Sequence, residues 1–99
     1  MAVYVDDIRI PFGRMIMVHM LADSRKELDE MADKIGVPRK WIQKAGTSRE
    51  HYDICLSKRK LAVENGAVEL GHKGLAKLLV QKLTRRKHGT QRNGSRSQA

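Results

Sequence analysis

The sequence predicts an α/β domain: a small three-stranded, partly parallel sheet covered by three or four helices, with a disordered basic C-terminal tail. Three observations carry this expectation. Two apolar, β-prone runs, AVYV at 2–5 and MIMVHML at 15–21, have the length of strands. One stretch, 24–36, has the caps and periodicity of an amphipathic helix. The charge is divided unevenly: residues 1–70 hold 12 Lys+Arg against 11 Asp+Glu, whereas 71–99 hold 8 Lys+Arg and no acid, giving +1 and +8 of the total +9.

Taken in order, Ala2–Val5 reads as a strand that DDIRIPFG breaks, with Pro11 and Gly13 marking a loop. The run Met15–Leu21 is nearly continuous in apolar residues, the pattern of a strand buried on both faces, which needs two covering layers. Ser24 is placed to cap a helix, with Glu27 three residues on as its capping-box partner. Leu28, Met31, Ala32 and Ile35 then fall at i, i+3, i+4 and i+7, and Gly36 and Pro38 stop the helix. Pro38 opens a second short helical piece through Gln43, and KAGTSRE is a polar loop. HYDICL at 51–56 fits either a short strand or the approach to a helix. Ser57 is expected to cap a helix running to Asn65, with Leu61 and Ala62 inward and Gly66 ending it. Ala67–Leu70 reads as a strand, so this helix forms the second half of a βαβ crossover. Leu75, Leu78, Leu79 and Leu83 define a last helix, and the polar, Gly/Ser-containing end from Gly89 is expected to be disordered. The domain is placed at 1–84 and the basic tail at 85–99.

A chain of 99 residues makes one domain with a modest core. Aromatic residues are only 4%, so a broad base-stacking platform is not expected and the core is read as aliphatic, with Met15, Met17, Met20 and Met31 as fillers. The single cysteine, Cys55, permits no internal disulfide and no cysteine-built metal site, which suits a reducing compartment. No apolar run reaches the roughly 18–20 residues that cross a bilayer, and the N-terminus carries acids where a secretion signal has basic residues, so the expectation is a cytoplasmic protein.

The acid-free end is the electrostatic footprint of a polyanion partner. The leading expectation is therefore non-specific nucleic-acid binding through the last helix and tail, with Lys82, Arg85, Arg86, Lys87, Arg92 and Arg96 on phosphates. Lys58, Arg59 and Lys60 open a predicted helix whose free N–H groups attract anions, and Arg9, Arg14 and Arg49 are candidate additions. The second expectation is a metal-dependent phosphoesterase or nuclease. Asp6 and Asp7 end the first strand, and His51 and Asp53 share one face if that stretch is extended; together they could hold a divalent cation. His19, on the second strand, is either a neighbour of that group or a hydrogen-bonded core residue. No other cofactor is indicated. The third expectation is a protein that docks its cationic surface on an acidic host or phage protein. Trp41, among Arg39, Lys40 and Lys44, is expected to close the small core, with base stacking or partner anchoring as alternatives.

The stretches MAVYVDD, GRMIMVHMLADS, IGVPRKWIQ and HYDICLSKRKLAVENGAVE together resemble the family catalogued as domain of unknown function 4031, small proteins of bacteria and their phages. The resemblance covers about residues 1–80 and implies a prokaryotic or phage origin. It brings no established activity, so no residue role follows from it, and the tail beyond Lys87 lies outside it.

Overall fold

The computed structural model describes residues 2–71, 74 and 76–82. Strands β1 (Val3–Val5), β2 (Ile10–Phe12), β3 (Met15–Ala22), β4 (Tyr52–Cys55) and β5 (Val68–Glu69) form one mixed sheet. Helix α1 spans Arg25–Ile35, a short 3-10 turn spans Arg39–Trp41 and helix α2 spans Leu56–Glu64. Residues 76–82 are helical. The mixed α/β class holds, but the sheet has five strands rather than three. β2 is hidden in the sequence by Pro11, which an edge strand tolerates because its missing N–H need not feed a ladder. β4 is only four residues long and runs directly into α2, so neither period has room to show.

The register fixes the sheet order. Met20 pairs with both Val5 and Tyr52, and Met17 with both Ile10 and Cys55. β4 therefore occupies one edge of β3, while β1 and β2 share the other. β5 adds to β1 in parallel, Tyr4 opposite Val68. Since β4 and β1 are both antiparallel to β3, β4–α2–β5 is a crossover between parallel strands, as the Gly66 turn suggested.

Between β1 and β2 the chain bulges. Asp6 still donates its N–H to the His19 carbonyl at 3.0 Å, and Ile10 next pairs with Met17, so Asp7, Ile8 and Arg9 together oppose Val18. Arg9 takes a left-handed backbone, φ 55°, within this bulge.

The two faces of the sheet differ. Val3, Val5, Val18, Met20, Ala22, Tyr52 and Ile54 meet Leu28, Met31, Ala32 and Ile35 of α1 and Ala62 of α2 in one buried cluster. α1 follows its sequence signals closely. The Ser24 hydroxyl accepts the Glu27 N–H at 3.2 Å and donates to the Glu27 carboxylate at 2.8 Å, and Gly36 closes the helix at φ 80°, a conformation that favours glycine. The opposite face carries Leu21, His19, Asp53 and Met17. There, Leu21 is buried beside the last helix, whose Leu78 is buried and whose Lys82 donates to the Ala22 carbonyl at 2.8 Å.

Four expectations change. Met15 and Met17 are not core fillers: Met15 is exposed and Met17 lies on the second face, because odd positions of β3 point away from α1 and α2. For the same reason β3 is buried on both faces only toward its C-terminal end. Trp41 does not close the core. It is 55% exposed, and Tyr52 is the largest fully buried side chain, its hydroxyl on Asp29 at 2.6 Å. α2 starts at Leu56 with Cys55, not Ser57, in the capping position, which turns Ala62 fully inward and leaves Leu61 exposed. Leu75, Leu83, the boundary at residue 84 and the whole predicted tail lie outside the described residues. Among the described residues, no helix is long and apolar enough to cross a membrane.

Candidate metal centre

Strand parity builds the site. In the pairing of β3 with β4, His19 stands opposite Asp53, so both side chains leave the same face of the sheet. His51 precedes β4 and is held by a two-way bridge to Gln43, with N···O distances of 2.8 and 3.1 Å. The loop between them is closed by Glu50, whose carboxylate accepts the Gly46 N–H at 3.0 Å and faces Arg25 at 3.6 Å. The three side chains His19, His51 and Asp53 then offer ligand atoms that all lie within 4.8 Å of one another. The rings of His19 and His51 meet edge to face with centroids 4.9 Å apart.

Asp6 orients this group from behind. It is 1% exposed and sits where β1 leaves the ladder. Its own carbonyl is taken by the Arg59 guanidinium at 2.9 Å, and its carboxylate instead accepts the His19 N–H at 2.8 Å. The other carboxylate oxygen accepts Nδ1–H of the His19 ring at 2.6 Å. Burial works to raise the Asp6 carboxyl, but the bonds from His19 outweigh it and hold the group below the usual carboxylate range. The bond to Asp6 raises His19 in turn, against the opposing effect of burial and with a further contribution from the nearby Asp6 and Asp53 charges.

The hydrogen bonds assign the tautomers. Nδ1 of His51 lies 2.7 Å from the Arg49 carbonyl, which can only accept, so this nitrogen carries the hydrogen. Nδ1 of His19 donates to Asp6. In both neutral rings Nε2 is left with a lone pair, and both Nε2 atoms face the same Asp53 oxygen, at 3.7 Å from His19 and 3.3 Å from His51. Three electron-rich atoms converging in this way form a site that a proton, a water molecule or a metal ion can occupy. A metal-ligating histidine usually has its far nitrogen anchored to a carboxylate or carbonyl, and both of these rings meet that condition.

The centre lies in the wall of an open cleft of about 650 Å³, lined also by Ile10, Phe12, Met15, Met17, Trp41 and Lys44. Arg49 borders a smaller hollow on the other side of His19 and His51, with Leu21 and Leu79.

Of the metal ligands expected from sequence, His51 and Asp53 converge and Asp6 supports them one bond away. Asp7 is not brought in: its carboxylate is exposed and bound to Arg9 at 2.7 Å. His19 was left out of that ligand set; the available signal was a single histidine within an otherwise apolar strand, but its partner Asp53 is 34 positions away. Lys58, Arg59 and Lys60 do not form one anion pocket. Arg59 is committed to Asp6 and to Glu69 at 2.9 Å, and Lys58 lies near Gly36. Of the expected phosphate contacts, Lys82 is described and its amine is bound to Ala22; Arg85, Arg86, Lys87, Arg92 and Arg96 lie outside the described residues. No curated protein and no solved structure matches the chain. Residues 3–82, which include every member of this centre, match the family described as protein of unknown function (DUF4031), and the chain belongs to that family.

Proposed function

We propose that the domain is a metal-dependent phosphoesterase acting on nucleic acid, with a single divalent transition-metal ion held by Nε2 of His19, Nε2 of His51 and the Asp53 carboxylate. The observation that carries this reading is the convergence of those three atoms while both Nδ1 atoms are anchored elsewhere. Two imidazoles and one carboxylate suit zinc, manganese or iron better than magnesium, which prefers oxygen ligands. Three protein ligands beside an open cleft leave a position for water, and the bound ion would lower the pKa of that water to supply a nucleophile near neutral pH. Asp6 positions His19 and keeps Nε2 as the ligand atom. Lys44 and Arg49, which make no ion pair among the described residues, flank the centre where a phosphate charge would arrive.

The nucleic-acid part of the reading is supported by charge. The acid-free stretch 71–99 carries +8, and contacts to phosphates from Lys82, Arg85, Arg86, Lys87, Arg92 and Arg96 would release counterions. A divalent cation is the cofactor, and nucleic acid rather than an acidic host protein is the partner.

The test is metal analysis of the full chain by calorimetry and elemental measurement, followed by hydrolysis of DNA and RNA with and without chelator. One ion per chain, lost in His51→Ala and Asp53→Ala, with activity restored by zinc or manganese, is the expected result. No ion bound by the wild-type chain ends the reading. Replacing Arg85, Arg86, Lys87, Arg92 and Arg96 by Gln in the full chain should weaken nucleic-acid binding and flatten its salt dependence; a retained acidic protein partner with unchanged nucleic-acid binding would favour docking instead.

A further inference from the structure

The cleft beside the candidate centre has a composition that a phosphate alone does not explain. A site for a bare phosphate needs cations and N–H donors, yet most of this wall is apolar: Ile10, Phe12, Met15, Met17 and Trp41. Phe12 is 67% exposed and Trp41 55%, on a protein whose aromatic residues are only 4% of the chain. The other two large rings are spent internally: Tyr52 is fully buried, and Tyr4 bonds Asp23. The two exposed rings thus line one and the same cleft, which also holds His19, His51, Asp53 and Lys44. Its size, about 650 Å³, is that of a small-ligand pocket rather than of a groove for a helix or strand.

We infer that this cleft receives one unpaired nucleobase, held against Trp41 and Phe12, and presents the phosphate attached to it to Lys44 and to the His19–His51–Asp53 centre. The placement of the phosphate rests on the metal-centre reading; the base site rests on the cleft alone. The chemistry recognised is a planar heteroaromatic group joined to a phosphate, found in a free nucleotide or in a single strand. A base inside a duplex is stacked on both sides and cannot enter, so duplex substrates are excluded unless the base is first extruded. Two aromatic rings give room for one base, which agrees with the absence of a wider stacking surface. Charge complements shape: the apolar wall suits the base, and the Lys44 ammonium at its edge suits its phosphate.

Trp41 is the only tryptophan of the chain, so its fluorescence reports on this cleft with no need for activity or bound metal. The full chain is titrated with thymidine 5′-monophosphate, ribose 5-phosphate, a short oligothymidylate and a duplex of equal length. Saturable quenching by the nucleotide and the oligothymidylate, and none by ribose 5-phosphate or the duplex, is the expected pattern. Phe12→Ala should weaken the nucleotide by about tenfold, the range of one lost stacking contact, and Lys44→Gln should weaken it while leaving thymidine itself unchanged. Binding of the oligothymidylate at least about tenfold tighter than the nucleotide assigns the site to a strand; equal affinity assigns it to free nucleotides. Equal quenching by ribose 5-phosphate, quenching by the duplex alone, or no quenching by any of the four overturns the base site. Metal stoichiometry measured on the same preparations separates this outcome from failure of the metal reading, since quenching without metal would retain the base site and reject only the metal.

Discussion

The two faces of the sheet are made from alternate residues of the same strands, yet they do opposite work. On β3, Val18, Met20 and Ala22 are sealed against α1 and α2, while Met17, His19 and Leu21 look the other way. On β4, Tyr52 and Ile54 enter the core, and Asp53 between them enters the candidate centre. One face is covered by two helices. Among the described residues, the other is covered only near Leu21, where the helical residues 76–82 lie, and opens toward Ile10, Phe12 and Met15. The contrast teaches that this small domain separates its core from its candidate site by parity rather than by region. A one-residue slip of β4 would exchange the two sets, so register is strongly specified by the core side chains.

The largest effects are expected on the closed face. Tyr52→Ala leaves a large cavity and removes the bond to Asp29, and should cost about 3–5 kcal/mol in urea unfolding, comparable to the whole stability of many small domains. Met20→Ala should cost about 2–5 kcal/mol, whereas Met15→Ala, on the same strand but exposed, should stay within about 0.5 kcal/mol. A similar cost for the two methionines would break the comparison.

On the open face, effects should appear in ligand affinity before stability. Asp6→Asn should reduce metal affinity by about 10–100-fold, because the His19 ring loses its charged anchor. Calorimetry of the two proteins measures this, and unchanged affinity would leave Asp6 a purely structural residue. Arg59 and Lys44 sharpen the boundary. Arg59→Gln should cost about 1–3 kcal/mol by freeing the Asp6 carbonyl and Glu69, with little change in the salt dependence of nucleic-acid binding. Lys44→Gln should leave stability within about 0.5 kcal/mol and weaken phosphate ligands.

One further effect on the closed face appears only in alkali. Burial first, and then the bond to Asp29, raises the Tyr52 phenol well above its ordinary value near 10. A raised folded-state pKa contributes stability that is fully present below the unfolded value and is lost as pH rises through the folded one. The wild type should therefore lose stability between about pH 10 and 12 more steeply than Tyr52→Phe; parallel curves from chemical denaturation at each pH would contradict this assignment.

Much of the closed face was legible in the chain. Ser24, Glu27, Gly36 and the stripe of Leu28, Met31, Ala32 and Ile35 are local signals, each read within a few residues, and α1 follows them. β2 was not legible as a strand because Pro11 suppresses the period that reveals one, and β4 was legible only as one of two alternatives because four residues are too few to show a period. Two of the three candidate ligands were visible, since His51 and Asp53 stand two apart and an extended chain places them on one face. His19 was visible as a residue but not as their partner, and Asp7 looked equivalent to Asp6 until the bulge after β1 turned it outward to Arg9. Trp41 was misread because a lone tryptophan usually fills a core, and here Tyr52 already does.

By itself the sequence determined the mixed α/β class, the capped helix and the charge division between residues 1–70 and 71–99, since each depends on neighbours along the chain. Only the tertiary structure decided that Asp6, His19, His51 and Asp53 meet, that Arg59 serves Asp6 rather than an anion, and that Phe12 and Trp41 face one cleft. Those outcomes depend on the pairing of β3 with β1 and β4 and on the bulge after β1. Pairing between distant segments is settled by the burial of the whole core, which no single stretch of sequence contains.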